Sequence, residues 1–176
     1  KDIHFINETI YIKSFNKKSI TSSFSTKHME DYIKAWILCA KLLRSNVLIV
    51  GAGGLGSPIS LYLTALGIGK IGIIDKDNIE ISNLGRQIIF STNDVKKKKS
   101  LVAIKKLRKL NPDVKFKSFS ENLTKKNIDK IANNFNIIVD GSDNFTTRFL
   151  INDYCLKNKK TLISGAISKF DGQVYT

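Results

Sequence analysis

Residues 47–56 read VLIVGAGGLG, and this stretch decides the fold class. The four apolar residues 47–50 predict a buried strand, and the next six fit the pattern G-x-G-x-x-G, with its glycines at 51, 53 and 56. The apolar residues 59–66 follow and predict a helix, whose first N–H groups would face an anion. Glycine suits this loop because its backbone must turn tightly and approach a phosphate, where a Cβ atom would intrude. Strand, glycine loop and helix in this order therefore indicate a nucleotide site.

The residues after this unit extend the same pattern. A second predicted strand, 71–74, ends in Asp75, which is where a Rossmann-type fold places its ribose-binding carboxylate. We predict a helix over 95–110, a helix starting at 122–124, strands over 114–119, 137–140 and 161–164, a connection over 165–172, and a last strand starting at 173. This alternation predicts an α/β fold: a Rossmann-like, doubly wound, mainly parallel sheet with helices on both faces.

The N-terminal residues 1–28 form, on our interpretation, an arm or small addition to an ATP-binding domain over 29–176. Alternating apolar residues between Ile3 and Ile12 predict a strand or hairpin. Helical spacing of apolar residues over 29–43 predicts a helix that leads into the first core strand. The chain begins with Lys1 instead of Met, and its last predicted strand is cut short, so we expect a longer natural protein.

Net charge, apolar runs and cysteine spacing limit the classes of function that this chain can have. The chain carries 29 Lys and Arg against 15 Asp and Glu, a net charge of +14. Because the lysines are spread throughout and no nucleic-acid motif accompanies them, we expect no nucleic-acid partner and leave an acidic protein partner open. No run approaches the roughly 20 apolar residues of a membrane span, so we expect a cytoplasmic or organellar protein without a membrane role. Cys39 and Cys155 form no C-x-x-C pair, and we expect both to be buried.

Polar residues follow several predicted strand ends, which meet at one edge of a parallel sheet. Arg86 and Lys99 would supply fixed positive charge for a triphosphate and its transition state. Asp143 offers the hard oxygen ligand that Mg²⁺ prefers, and Arg148 could brace it or contact substrate. An NAD-dependent oxidoreductase, which has no use for a loop arginine aimed at phosphates, remains the less favoured alternative.

Four ordered motifs resemble a known superfamily. They are GAGGLGSP (51–58), IIDKDNIEISNLGRQ (73–87), DGSDNFTTRFLINDYC (140–155) and LISGAISKFDGQV (162–174). Over residues 42–176 the chain resembles the ubiquitin-activating-enzyme-like superfamily, most closely its ThiF, MoeB and HesA group. The resemblance implies an enzyme, usually a homodimer, that adenylates the C-terminal glycine carboxylate of a small ubiquitin-fold carrier protein with ATP. Pyrophosphate leaves, and the acyl adenylate can then be attacked by a sulfur nucleophile.

The same resemblance assigns residue roles. Arg86, Lys99 and Asp143 would be catalytic, with Asp143 holding Mg²⁺. The cofactor-binding set would be Gly51, Gly53, Gly54, Gly56, Asp75, Asp77, Asn83, Arg86, Gln87 and Lys99.

The chain departs from the family pattern at two places. The family's G-x-x-K stretch here reads Lys96 to Lys99, so its glycine is lost. The family's opening arginine falls at Lys27, which keeps the charge but not the bidentate fork. Zinc, held by two C-x-x-C pairs in relatives, is expected only if such a region exists beyond Thr176.

Two further functions stay open within this interpretation. The enzyme could adenylate a short peptide or another carboxylate, with residues 1–26 recognising the peptide. The chain could also be an inactive scaffold, although retention of Asp75, Arg86, Lys99 and Asp143 argues against that.

Overall fold

The computed structural model describes residues 3–6, 9–12, 26–168 and 171–176 of the chain. These fall into two compact units, Lys1–Ala40 and Lys41–Thr176. The first unit contains an antiparallel hairpin of β1 (Ile3–Ile6) and β2 (Thr9–Ile12), which confirms the hairpin prediction. Helix α1 (Thr26–Arg44) begins in this unit and starts earlier than predicted. Residues 13–25 of the predicted arm and the side chain of Lys27 lie outside the described residues, and the boundary at residue 28 stays a prediction.

The second unit is built on a six-stranded sheet in the order β5-β4-β3-β6-β7-β8. All neighbouring strands are parallel except β7 and β8. The strands are β3 (Asn46–Val50), β4 (Lys70–Ile74), β5 (Lys115–Phe119), β6 (Ile137–Asp140), β7 (Thr161–Ser168) and β8 (Asp171–Tyr175). The chain runs outward from β3 to β5 and then returns to the other side of β3 as β6. The strand order therefore reverses between β3 and β6, where folds of this kind bind their ligands.

Helices cover both faces of the sheet, as predicted. They are α2 (Gly56–Ala65), α3 (Lys99–Leu110), α4 (Ile128–Ala132) and α5 (Phe145–Asn158). Val47 and Ile49 of β3 pack into one core with α2 and α3. Leu48 and Val50 pack into a second core with α4 and α5, because successive side chains of a strand point to opposite faces. A strand covered on both sides is uniformly apolar, and this explains the run VLIV.

Three predicted elements have the wrong bounds. The helix predicted over 95–110 begins only at Lys99, because Lys96 has a φ of 69°, outside the right-handed helical region. The predicted connection over 165–172 is mostly strand, since β7 continues to Ser168 and β8 begins at Asp171. The helix expected from 122–124 shrinks to the five residues of α4.

The two cysteines differ in exposure. Cys155 is buried, as expected, whereas Cys39 is exposed, so the expectation for Cys39 is wrong. Burial raises the pKa of the Cys155 thiol, and a thiol kept protonated is a poor nucleophile. Across the described part of the chain, each helix is too short or too polar to cross a bilayer.

Candidate functional site

The glycine loop joins the two halves of the sheet. Gly51 donates its N–H to the carbonyl oxygen of Ile74 at 2.9 Å, and Gly141 donates to Val50 at 2.9 Å. Gly51 has a φ of +90°, a conformation that favours glycine. A Cβ atom at Gly56 would lie 1.8 Å from the carbonyl oxygen of Gly51, so only glycine fits there.

Gly53 differs from Gly51 and Gly56 in its surroundings. A Cβ atom at Gly53 would meet no atom within 4 Å, so the fold itself does not demand glycine at this position. The first turn of α2 has no acidic residue and no side-chain cap, and its N–H groups therefore suit an anion. The open space over Gly53 and this helix end together fit a phosphate group.

Asp75 is held against the glycine loop. Its Oδ2 accepts the N–H of Ala52 at 2.8 Å, and its Oδ1 accepts the N–H of Asp77 at 2.8 Å. Each carboxylate oxygen keeps a further lone pair. The carboxylate is therefore fixed in position and can still accept hydrogen bonds from ribose hydroxyls.

Arg86 lies over the glycine loop. Its Cδ is 3.5 Å from the position that a Cβ atom of Gly54 would take, and its Nη1 donates to the carbonyl oxygen of Ser82 at 3.3 Å. The side chain of Gln87 is only 2% exposed, and its Nε2 donates to Oδ1 of Asn83 at 3.1 Å. The exposed Arg86 can thus reach a ligand, while the buried Gln87 supports Asn83.

Lys99 is the buried member of the lysine run. Lys96, Lys97 and Lys98 are exposed, whereas Lys99 is 6% exposed and pairs with Asp77 at 3.3 Å. Lys96 takes the left-handed φ of 69°, the conformation that glycine adopts readily. Lys96 thus stands where the family pattern G-x-x-K has its glycine, and this register makes Lys99 the lysine of that pattern.

The strained backbone at Lys96 leads to a stability prediction. We expect Lys96→Gly to raise the free energy of unfolding by about 1 kcal/mol, since a left-handed non-glycine residue costs on the order of 1–2 kcal/mol. Urea unfolding of the two proteins measures the difference. Lys105→Gly, at an exposed position inside α3, is the control and should lower the free energy of unfolding by about 1 kcal/mol. A loss of stability in Lys96→Gly would contradict the strain.

Asp143 lies in a loop that is tied down on both sides. Arg148 donates from Nη2 to the carbonyl oxygens of Ser142 at 2.7 Å and Gly165 at 2.8 Å. It therefore braces the loop of Asp143 through the backbone. Asn144 caps α5 by accepting the N–H of Thr147 at 2.9 Å. The carboxylate of Asp143 itself is exposed.

Asp140 is a residue that sequence reasoning missed. It is 1% exposed, and its Oδ1 accepts both the N–H of Ser142 at 2.9 Å and the Ser142 hydroxyl at 2.6 Å. Its Oδ2 accepts the Ser164 hydroxyl at 2.8 Å. This buried carboxylate joins the end of β6 to the middle of β7 and to the start of the loop that carries Asp143. The available signal was a charge closing the apolar strand IIVD, since a buried carboxylate needs partners.

The donor set fits one kind of metal ion. Within the described ranges, no group of three or more His, Cys, Asp or Glu side chains could hold a metal. Mg²⁺ usually keeps several waters and binds one or two carboxylates together with substrate phosphates. The exposed Asp143 therefore fits Mg²⁺ that arrives with a nucleotide, and does not form an all-protein metal cage.

Comparison with known proteins gives consistent matches. The family model of the ThiF family matches residues 25–176. The chain is 46% identical over 134 residues to the sulfur carrier protein adenylyltransferase of Thermus thermophilus, covering 76% of this chain and 49% of that protein. It is 43% identical over 136 residues to the SAMP-activating enzyme E1 of Haloferax volcanii, covering 77% and 50%. The structure of E. coli MccB with AMPCPP and MccA superposes with a TM-score of 0.73 at 30% identity, covering 80% of this chain and 43% of that one. The chain spans about half the length of these curated relatives.

Proposed function

This chain belongs to the ThiF family, and we propose that it forms the ATP-binding part of an adenylyltransferase that acts on a small ubiquitin-like sulfur carrier. The proposed reaction couples ATP to the C-terminal glycine carboxylate of the carrier. Its similarity to the sulfur carrier protein adenylyltransferase of T. thermophilus supports the substrate class.

One observation supports this proposal: side chains that we propose to bind the nucleotide come from separate parts of the chain and lie together at the carboxyl ends of the strands. Asp75 contacts the glycine loop at Ala52, and Arg86 lies over Gly54. Lys99 joins this group through Asp77. A dinucleotide site needs the glycines and the acid, whereas two cations beside them suit a triphosphate.

The residues have separate roles in the proposed reaction. A carboxylate oxygen of the carrier attacks the α-phosphorus of ATP and forms a new P–O bond. The bond between the α-phosphorus and the α–β bridging oxygen breaks, and pyrophosphate leaves with the electron pair. Arg86 and Lys99 stabilise the negative charge that grows on the leaving group. The N–H groups at the start of α2 hold the phosphates, and Asp75 accepts from the ribose hydroxyls. Mg²⁺ held by Asp143 would neutralise phosphate charge.

We also propose a homodimer that works in the cytoplasm or an organelle. The apolar side chains of Tyr62 on α2 and of Leu66 directly after it are more than half exposed, as are those of Ile167 and Val174 on the β7–β8 hairpin. An exposed apolar surface of this kind is typical of a protein contact. Zinc is proposed only for a longer chain that carries C-x-x-C pairs.

A second candidate is adenylation of a short peptide or another carboxylate. The hairpin β1–β2 belongs to a unit of its own and supports this alternative, because such an addition suits peptide recognition. An NAD-dependent oxidoreductase is the remaining candidate.

Pyrophosphate exchange separates these functions. We expect exchange of labelled pyrophosphate into ATP only when a carrier ending in Gly-Gly is present, with an AMP adduct on the carrier by mass spectrometry. The same carrier without its last glycine is the control and should give neither signal. An adduct on a short peptide but not on the carrier would favour the second candidate. Tight NAD binding without exchange would favour an oxidoreductase.

A further inference from the structure

A continuous set of hydrogen bonds connects the glycine loop to Lys99. Ala52 donates to Oδ2 of Asp75 at 2.8 Å, and Asp77 donates its N–H to Oδ1 of Asp75 at 2.8 Å. Asp77 then accepts the N–H of Lys99 on its carbonyl oxygen at 3.0 Å and the Lys99 ammonium on Oδ2 at 3.3 Å. Asp77 therefore touches Lys99 through both its backbone and its side chain.

The backbone around this pair is held by a short antiparallel ladder. Ile79 donates to the carbonyl oxygen of Lys97 at 2.9 Å, and Lys96 donates to the carbonyl oxygen of Ile79 at 2.8 Å. Asn78 and Lys98 form a β-bridge between the same two segments. The ladder keeps residues 77–79 and 96–99 in register, so the backbone of Asp77 is held beside that of Lys99.

The exposure of the two partners differs strongly. The Lys99 side chain is 7% exposed, and that of Asp77 is 52% exposed. An exposed ion pair contributes little, but removing the partner of a buried ammonium leaves an uncompensated buried charge. Among the described residues, the Lys99 ammonium donates to Asp77 alone. Since an ammonium has three N–H donors, two remain for phosphate oxygens.

We propose that Asp77 is a positioning residue, which holds the Lys99 ammonium toward the phosphates and does not itself bind the nucleotide. This inference rests on the proposed function and deepens it, since it assigns the positioning of the Lys99 ammonium to Asp77, a residue that does not contact the phosphates. When a triphosphate binds, Lys99 keeps Asp77 as one partner and directs its other donors to the phosphates. Asp77 thus acts on the leaving group only through Lys99.

A double-mutant cycle tests this role. In the complete chain, we expect Asp77→Asn to lower the kcat of carrier-dependent pyrophosphate exchange about 10-fold, with the KM for ATP changed less than about threefold, because a misplaced cation weakens mainly the transition state. In a Lys99→Met background, Asp77→Asn should change kcat less than about twofold, because the residue it positions is gone. Asp77→Glu, which keeps the charge, should restore most of the activity.

A neighbouring ion pair supplies the matched control. Asp94 pairs with Lys106, and although burial raises the pKa of its carboxyl, hydrogen bonds from Lys106 and Ser91 outweigh this and lower the pKa to about 2. Asp94→Asn also removes one negative charge from an ion pair, but this pair does not include Lys99. We expect its kcat to stay within about twofold of wild type.

The possible outcomes separate this inference from the proposed function. An equal loss of kcat from Asp77→Asn with and without Lys99 would show that Asp77 acts directly. That result would overturn the positioning role, and so would an unchanged kcat in Asp77→Asn. Binding of a fluorescent ATP analogue supplies a readout without carrier. If exchange is absent in the wild type, the proposed function fails. The inference then stands or falls on whether the small loss of affinity expected from Asp77→Asn, at most about threefold, disappears in Lys99→Met.

Discussion

Gly56→Ala is expected to lower the free energy of unfolding of the second unit, Lys41–Thr176, by about 3 kcal/mol or more. Substitutions that overpack a side chain against an immobile backbone are among the costliest. The new Cβ atom would lie 1.8 Å from the carbonyl oxygen of Gly51. Gly51 cannot withdraw, since its N–H bonds to Ile74 and its backbone packs against Gly141. Denaturant unfolding measures the loss, and nucleotide binding should disappear with it.

Gly53→Ala is the matched control for this prediction. Its Cβ atom would meet no protein atom within 4 Å, so the free energy of unfolding should stay within about 0.5 kcal/mol of wild type or rise slightly, as the unfolded chain loses entropy. The affinity for ATP should nevertheless fall, because the methyl group occupies the space left for phosphate. Wild-type ATP affinity in Gly53→Ala would show that the open space serves no ligand.

Asp143→Asn is expected to lower pyrophosphate exchange by roughly 100-fold, about 3 kcal/mol of transition-state stabilisation. Its melting temperature should not change, because other residues hold the loop: Asp140 anchors its start and Asn144 caps the helix after it. Neutralising the side chain removes the carboxylate proposed to hold Mg²⁺. Exchange at increasing Mg²⁺ concentration measures the effect, and the variant should need more Mg²⁺ to reach half of its maximal rate.

Asp153→Asn provides the control for charge alone. Asp153 is an exposed acid on α5, the helix that follows the loop of Asp143. Its substitution should leave exchange within about twofold of wild type. Unchanged exchange in Asp143→Asn would remove this residue from the active site.

The parts of the fold that follow from local patterns could be predicted from the sequence. The strand, glycine loop and acid are set by spacing along the chain, and the contact of Ala52 with Asp75 follows the expected arrangement. The strands at 161–164 and from 173 follow from the sequence, but their extension into residues 165–172 does not. Gly165 and Gly172 are typical of a connection, and only pairing with a neighbour decides whether such residues form strands. Lys96 was placed inside a helix, since nothing in its side chain signals a left-handed backbone.

The candidate site was predictable to a similar degree. Lys99 emerged from the family pattern, but its burial and its pairing with Asp77 depend on two segments that meet only in the folded chain. Asp140 could not be assigned a role, because one of its partners, Ser164, lies on another strand. Residues that act through distant partners escape reasoning based on local spacing.

The ladder between residues 77–79 and 96–99 also limits how far a change in the intervening segment can disturb the fold. It closes the base of the segment 80–95, which is anchored in the core by Ile89 and Phe90 and exposes Ile81 and Ile88 on either side of Arg86. A loop closed at its base can accept substitutions at its exposed apolar positions without disturbing the sheet. Substitutions at Ile81 or Ile88 should therefore leave the glycine loop and Lys99 in place.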